Sequence, residues 1–202
     1  MTVPDPPNTD GCSHQPAPPP RTLRADARLN RDRLVTVARA AFAAADAAVP
    51  LESIARDAGV GIGTLYRHFP TREALVEAVY AAELDDVTAS ARTFIEQLPP
   101  EEALRAWMSR YAQFIVTKRG MLDTLLAGWT SARITTPTTR ERITATISTI
   151  LTAGARAGTF RSDVDPDDIT ALLLGVFLST ASSPMDQTAR LLDLVVDAVR
   201  LS

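Results

Sequence analysis

The stretch Leu51–Arg72, LESIARDAGVGIGTLYRHFPTR, reads as two short helices meeting at a tight glycine turn. From Leu51 to about Ala58, the apolar residues Leu51, Ile54, Ala55 and Ala58 recur at a spacing that puts them on one narrow helical face. Gly59-Val60-Gly61 follows: Gly59 can take the left-handed backbone that ends a helix at little cost, and Val60 plugs the corner. Ile62 to about Phe69 then forms a second helix of about two turns, too short to stand alone, so its neighbours must brace it. Leu65 and Phe69 face that support and leave Ile62, Thr64, Arg67 and His68 on other faces. A short braced helix with small and polar residues outward suits insertion into the major groove of DNA.

The longer run AGVGIGTLYRHFPTREALVEAVY resembles the helix-turn-helix of the tetracycline-repressor (TetR) family of bacterial transcription regulators. The family's usual pattern is A-G-V-S-x-G-T-L-Y-x-H-F, followed by a basic residue and a new helix. The likeness covers about residues 30–80 and matches some ten residue types at fixed spacing. It departs from the pattern at Gly61, where the family usually has serine. Glycine caps a helix only a few tenths of a kcal/mol less well, but it brings no hydroxyl for a phosphate. The resemblance implies that Tyr66, His68 and Arg72 are positioning contacts to the DNA backbone, while Ile62, Gly63, Thr64 and Arg67 face base edges. The residue types suit those roles: a tyrosine hydroxyl and an arginine grip phosphate, a threonine bonds a base or touches a thymine methyl, and Gly63 lets the backbone come close. For Tyr66 and His68 the plainer alternative is core packing with a satisfied polar tip.

Composition sets the outer limits. The 202 residues are 46% hydrophobic and 22% charged, ordinary for a globular protein of one or two domains. Aromatics make up 5% and alanine is abundant, which favours helices over sheet, and the helical segments read along the chain make an all-α fold of about nine helices. No apolar stretch reaches the roughly 18 residues a membrane span needs, and the start lacks the basic and apolar regions of a signal peptide, so a cytoplasmic protein is expected. A single cysteine, Cys12, agrees with a reducing compartment. The net charge of -3 divides unevenly: residues 21–72 hold nine arginines against five acids, a local +4, which leaves -7 elsewhere. That asymmetry lets one end approach a polyanion while the other repels it, although a merely solvated charged face would also explain it.

Working outward from the turn, residues 1–20 contain seven prolines and read as a disordered tail. Arg21, Arg24, Arg28 and Arg31 then recur at helical spacing, as one side of a helix or as a basic arm able to reach a minor groove. Asn30 is a good N-cap, so the first firm helix is expected from there to about Ala45, with Leu34, Val37, Ala38, Ala41 and Phe42 as its apolar stripe. These elements make a DNA-binding unit over residues 21–70. Thr71 caps a helix that carries Leu75, Val76, Val79 and Leu84; the resemblance implies that it is a connecting helix over residues 71–90 and that residues 91–202 form a ligand-binding and dimerisation body.

In the body, Pro99-Pro100 breaks the chain before a helix to about Lys118 bearing Leu104, Trp107, Met108, Tyr111, Phe114 and Ile115. A second short helix, Met121 to about Ala132, carries Leu122, Leu125, Leu126 and Trp129. The concentration of large side chains makes Trp107, Tyr111, Phe114, Met121, Leu125 and Trp129 candidate walls of an apolar ligand pocket, with simple core as the alternative. Pro137 to about Ala157 is the next helix, ended by Gly158. Asp165-Pro166-Asp167-Asp168 starts another, with Asp165 as N-cap. That helix and the last, from about Met185 to Leu201, are apolar on more than one side and so need more than one partner. In the family resembled, the two pair with their counterparts in a second copy as a four-helix bundle; burial within one chain is the alternative.

These readings converge on a sequence-specific DNA-binding regulator, most simply a homodimeric repressor that a small apolar or amphipathic effector releases from an inverted-repeat operator. The alternative is a helical small-molecule binding protein that does not act on DNA. An enzyme is not expected: His14 lies in the tail and His68 in the motif, so no histidine pair assembles. The sequence also offers no phosphate-binding glycine loop, no metal-ligand spacing and no cofactor motif.

Overall fold

The structure, a computed structural model, describes residues 20–44, 49–121, 136–180 and 185–201. Their regular structure is eight helices: α1 (Pro20–Ala44), α2 (Leu51–Asp57), α3 (Ile62–His68), α4 (Arg72–Gln97), α5 (Pro100–Gly120), α6 (Thr136–Arg156), α7 (Pro166–Ser179) and α8 (Met185–Val199). The all-α expectation holds. Apart from Met121, the short helix expected over Met121–Ala132, with Leu125 and Trp129, lies outside the described residues, as do the tail with Cys12 and His14 and the end of the first helix at Ala45.

The first helix begins ten residues earlier than the Asn30 cap suggested. Residues 21–29 are rich in arginine, leucine and alanine, all good helix formers, and Pro20 occupies the first position, where a missing N–H costs nothing. The arginine row is therefore helical. Arg28 and Arg31 are exposed, and Arg31 is not simply solvated, because its guanidinium sits 5.1 Å above the Phe69 ring.

Leu34, Ala38 and Phe42 of α1 are buried, and α1 packs on α2, α3, α4 and α5. The inner face of α2 is Leu51, Ile54 and Ala55, continued by Ala58, all buried as their spacing requires. Gly59 has φ +69°, so the turn needs the glycine it has. Its companion Val60 is half-buried against the core.

α4 is one unbroken helix of 26 residues, capped by the Thr71 hydroxyl, which accepts from the Ala74 amide at 3.2 Å. A division of the chain at residue 90 falls inside it. It buries Leu75, Val76, Val79, Tyr80, Leu84, Val87 and Ala91 and packs on α1, α5 and α6. The Trp107 indole donates to the Val87 carbonyl at 3.0 Å, and the Tyr80 and Thr139 hydroxyls are 2.7 Å apart. These bonds satisfy the polar tips that the core would otherwise strand.

Asp165 caps α7 as expected, accepting from the Asp167 amide at 2.8 Å, with Pro166 in the first turn. α8 ends at Val199 rather than Leu201 because the next residues pair with another segment. The Arg161 amide donates to Val199 at 3.0 Å, and the Leu201 amide donates to Thr159 at 2.9 Å. Arg200 adds a two-pronged bond to Glu101 at 2.8 and 2.6 Å, tying the end of α8 to the start of α5.

Candidate functional site

α3 is held from one side. Leu65 is fully buried and Phe69, just past its end, is 2% exposed, both against the core shared with α1 and α2. The opposite side faces out: Ile62, Gly63, Tyr66 and Arg67 are exposed, while Thr64 and His68 are half-buried. Gly61 caps the helix with extended backbone and no side-chain bond. The core alternative for Tyr66 fails at 45% exposure. His68 is intermediate, its ring centroid 6.4 Å from that of Phe69.

Arg72 departs from the pattern of an outward gripping residue. It donates to the Val49 carbonyl at 2.5 Å, and its guanidinium lies 5.7 Å above the Phe42 ring. It braces the junction of α1, the start of α2 and α4.

A cavity of about 900 Å³, open to solvent, lies between α1 and the body helices α4, α5, α7 and α8. Its walls are mainly apolar, including Ala40, Ala112, Ile115, Val116, Phe177 and Leu192. None of Trp107, Tyr111, Phe114 and Met121 lines it. All four are buried: Trp107 stacks on Tyr111 at 5.4 Å, Tyr111 on Phe114 at 6.0 Å, and Tyr111 meets the edge of Phe177 at 5.3 Å. Phe177 therefore carries the aromatic stack to the cavity wall. Burial pushes the Tyr111 hydroxyl up to about 12, so it stays protonated. Leu125 and Trp129 lie outside the described residues.

Sequence reasoning missed the charged residues of that wall. Glu83 of α4 is 2% exposed, yet its carboxylate is paired twice: with Arg39 of α1, and with Arg110 of α5 at 3.0 Å. Arg39 also reaches Asp86 at 2.8 Å. A signal was available, since Glu83 follows Val79 by four and Tyr80 by three and so falls on the buried stripe of α4. A carboxylate on such a stripe must find a cation.

Among the described residues, no group of three or more histidines, cysteines and carboxylates could hold a metal ion, and no helix is long and apolar enough to cross a membrane. What the fold defines is a helix-turn-helix head on an all-helical body, with an open apolar cavity between them.

Comparison with known proteins narrows that class. The family of bacterial regulatory proteins of the tetR type matches residues 34–79, and a C-terminal domain described as that of SbtR-like transcriptional regulators matches residues 99–201. A TetR transcriptional regulator of Streptomyces coelicolor is similar, with 42% identity and a TM-score of 0.76 over 85% of this chain and 99% of that one. A TetR regulatory protein of Mycobacterium vanbaalenii gives 36% and 0.69 over 89% and 99%. Helix-turn-helix regulators of Staphylococcus aureus are 27% identical over 108 residues, which is 52% of this chain and 58% of those relatives. The chain thus spans little more than half the length of the curated relatives it matches. It belongs to the TetR family of bacterial transcriptional regulators, a family of DNA-binding proteins and not of enzymes.

Proposed function

We propose that the protein acts as a homodimeric repressor, held on an inverted-repeat operator and released by a small apolar or amphipathic effector. The observation that carries the DNA half is the two-sided α3: Leu65 is sealed inside, while Ile62, Gly63, Tyr66 and Arg67 are exposed on a helix too short to exist for its own stability. Ile62, Gly63, Thr64 and Arg67 are the base-edge candidates, and Tyr66 and His68 position the helix on phosphates. Arg72 serves mainly to fix the head, with a phosphate contact as its second role.

Dimerisation is supported by leucines on the last two helices that stand exposed among the described residues: Leu172, Leu174, Leu178 and Leu194 are 39–67% exposed. An apolar surface of that kind calls for a partner, and a second copy supplies the same leucines in return. Two recognition helices related by a two-fold then meet half-sites roughly 34–36 Å apart. The effector half rests on the cavity, whose volume and apolar lining suit a drug-sized molecule. Tyr111 backs that space through Phe177, and Trp107, Tyr111, Phe114 and Met121 remain candidates for contact with an effector in the body.

The experiment is a gel shift of the purified protein on the DNA just upstream of its own gene, across a range of salt, followed by a genome-wide binding selection. Tight, salt-sensitive binding by a dimer is expected. Affinity no better than for random DNA in both assays would sink the regulator reading.

A further inference from the structure

The head packs on the body mainly through α1 against α5, with α4 shared by both. Beside that contact the seam opens into the cleft, which α1 lines with Ala40 and Ala43 and α5 with Ser109 and Ala112. Small side chains across a gap interlock little, so packing there does little to fix how far α1 slides or rolls on α5. What fixes it is directional. Glu83, buried near the middle of α4, gives one carboxylate oxygen to Arg39 of α1 and the other to Arg110 of α5, the latter at 3.0 Å. Asp86, one turn further along α4, takes another edge of Arg39 at 2.8 Å. Two cations thus meet two carboxylates, and the cluster asks for no ligand. It resists movement instead, because a slide of α1 or α5 that breaks one pair leaves a desolvated charge behind. An ion pair buried in this way adds little net stability over apolar residues of the same volume, and its best-attested use is to select one register among several.

We propose that Glu83 is a positioning residue for DNA binding: through Arg39 and Arg110 it locks the pose of the head on the body, and so sets the half-site spacing that the dimer accepts. The inference rests on the reading of the protein as a dimer on an inverted repeat, and adds the residue that makes the spacing strict. With the lock in place each head presents α3 in one pose. An operator with one base pair added between its half-sites is then met out of phase by about 35°. Without the lock the heads roll to follow the DNA.

The test replaces the cluster with apolar residues of similar size, Arg39→Met, Glu83→Leu and Arg110→Met together, in the full-length protein, an exchange that keeps a fold's stability. Gel shifts compare the operator found by binding selection with the same operator carrying one base pair more or fewer between half-sites. The wild type is expected to bind the altered operators about tenfold weaker or more, and the triple variant to bind all three within about threefold, at an unchanged melting temperature. Spin labels at Glu52→Cys of α2 and Thr149→Cys of α6, both exposed positions, in a Cys12→Ser background, report the head-to-body distance without DNA. Labelled chains are diluted in unlabelled protein so that each distance belongs to one chain. The distribution is expected to be narrow with the cluster and broader without it. If the triple variant does not fold, Glu83→Gln carries both measurements, since an amide of the same shape has no charge to hold two guanidiniums. A variant that discriminates spacing as the wild type does, or keeps as narrow a distribution, overturns the proposal, as does a wild type that accepts all three spacings alike. A wild type that binds no selected DNA refutes the regulator reading, and the distance distribution, which needs neither DNA nor a dimer, then decides by itself whether Glu83 locks the head.

Discussion

Among the described residues, two exposed surfaces stand out, and they differ in kind. The outer side of α3 is small and polar, with glycine, tyrosine and arginine standing on a seven-residue helix. The outer side of α7 and α8 is leucine-rich, on helices of 14 and 15 residues. Both exposures run against what a folded chain would do for itself, and each chemistry names a different partner. Hydrogen-bonding groups on a narrow helix match groove edges and phosphates. Bare leucines match other leucines.

If that contrast is right, charge placed among the leucines should do the most harm. Leu178→Asp with Leu194→Asp is expected to give a monomer by light scattering. Operator affinity should fall by about 10²–10⁴, because the two half-sites are no longer bound as one unit. A variant that stays dimeric would move the interface elsewhere.

On the other surface, Thr64→Ala and Tyr66→Ala are each expected to cost about 1–3 kcal/mol of operator binding, with oligomeric state and melting temperature unchanged. Loss of Thr64 should relax sequence preference, and loss of Tyr66 should weaken all sequences alike. The reverse assignment would follow if the footprints changed the other way.

A control lies outside both surfaces. A Cβ on Gly154 of α6 would come within 2.0 Å of the Phe160 ring, which is buried against that helix. Gly154→Ala should therefore destabilise by about 1–3 kcal/mol in a denaturant melt while dimer and DNA affinity persist in the folded fraction. Gly61→Ser restores the hydroxyl the motif usually carries. It should raise stability by a few tenths of a kcal/mol and tighten DNA binding slightly. The smallest effect is from acid. Hydrogen bonds from Arg200, Arg161 and Arg140 hold Glu101, Asp163 and Asp167 below the usual carboxylate range. A depressed pKa contributes stability above the unfolded value that is lost as pH falls through the folded one. Melting temperature should thus slip once pH drops below about 4. These groups are exposed, so the slope is shallow.

The motif was legible because its constraints are local. Gly59 needs its backbone, Leu65 and Phe69 need one side, and residue spacing states both. Helix starts were readable where a side chain caps them, at Thr71 and Asp165. The start of α1 was misread because Asn30 looks like a cap while the residues before it prefer helix even more. Long-range partners escaped for a different reason. Glu83 meets Arg39 and Arg110 across three helices, and Phe160 meets the bare backbone at Gly154; no periodicity along one chain encodes which elements will touch. The aromatic residues of α5 were recognised as important, but large size serves a core and a ligand wall equally, and spacing along one helix does not separate the two.

The unbroken α4 has a mechanical consequence. Its 26 residues span about 39 Å at 1.5 Å per residue, from the exit of the head to the turn before α5. Held at the far end and tilted by about 5°, a rod of that length carries its near end sideways by about 3 Å, close to the 3.4 Å rise between successive base pairs. A shift too small to notice among packed side chains at the lower end is thus large enough, at the upper end, to put a recognition helix out of step with the bases.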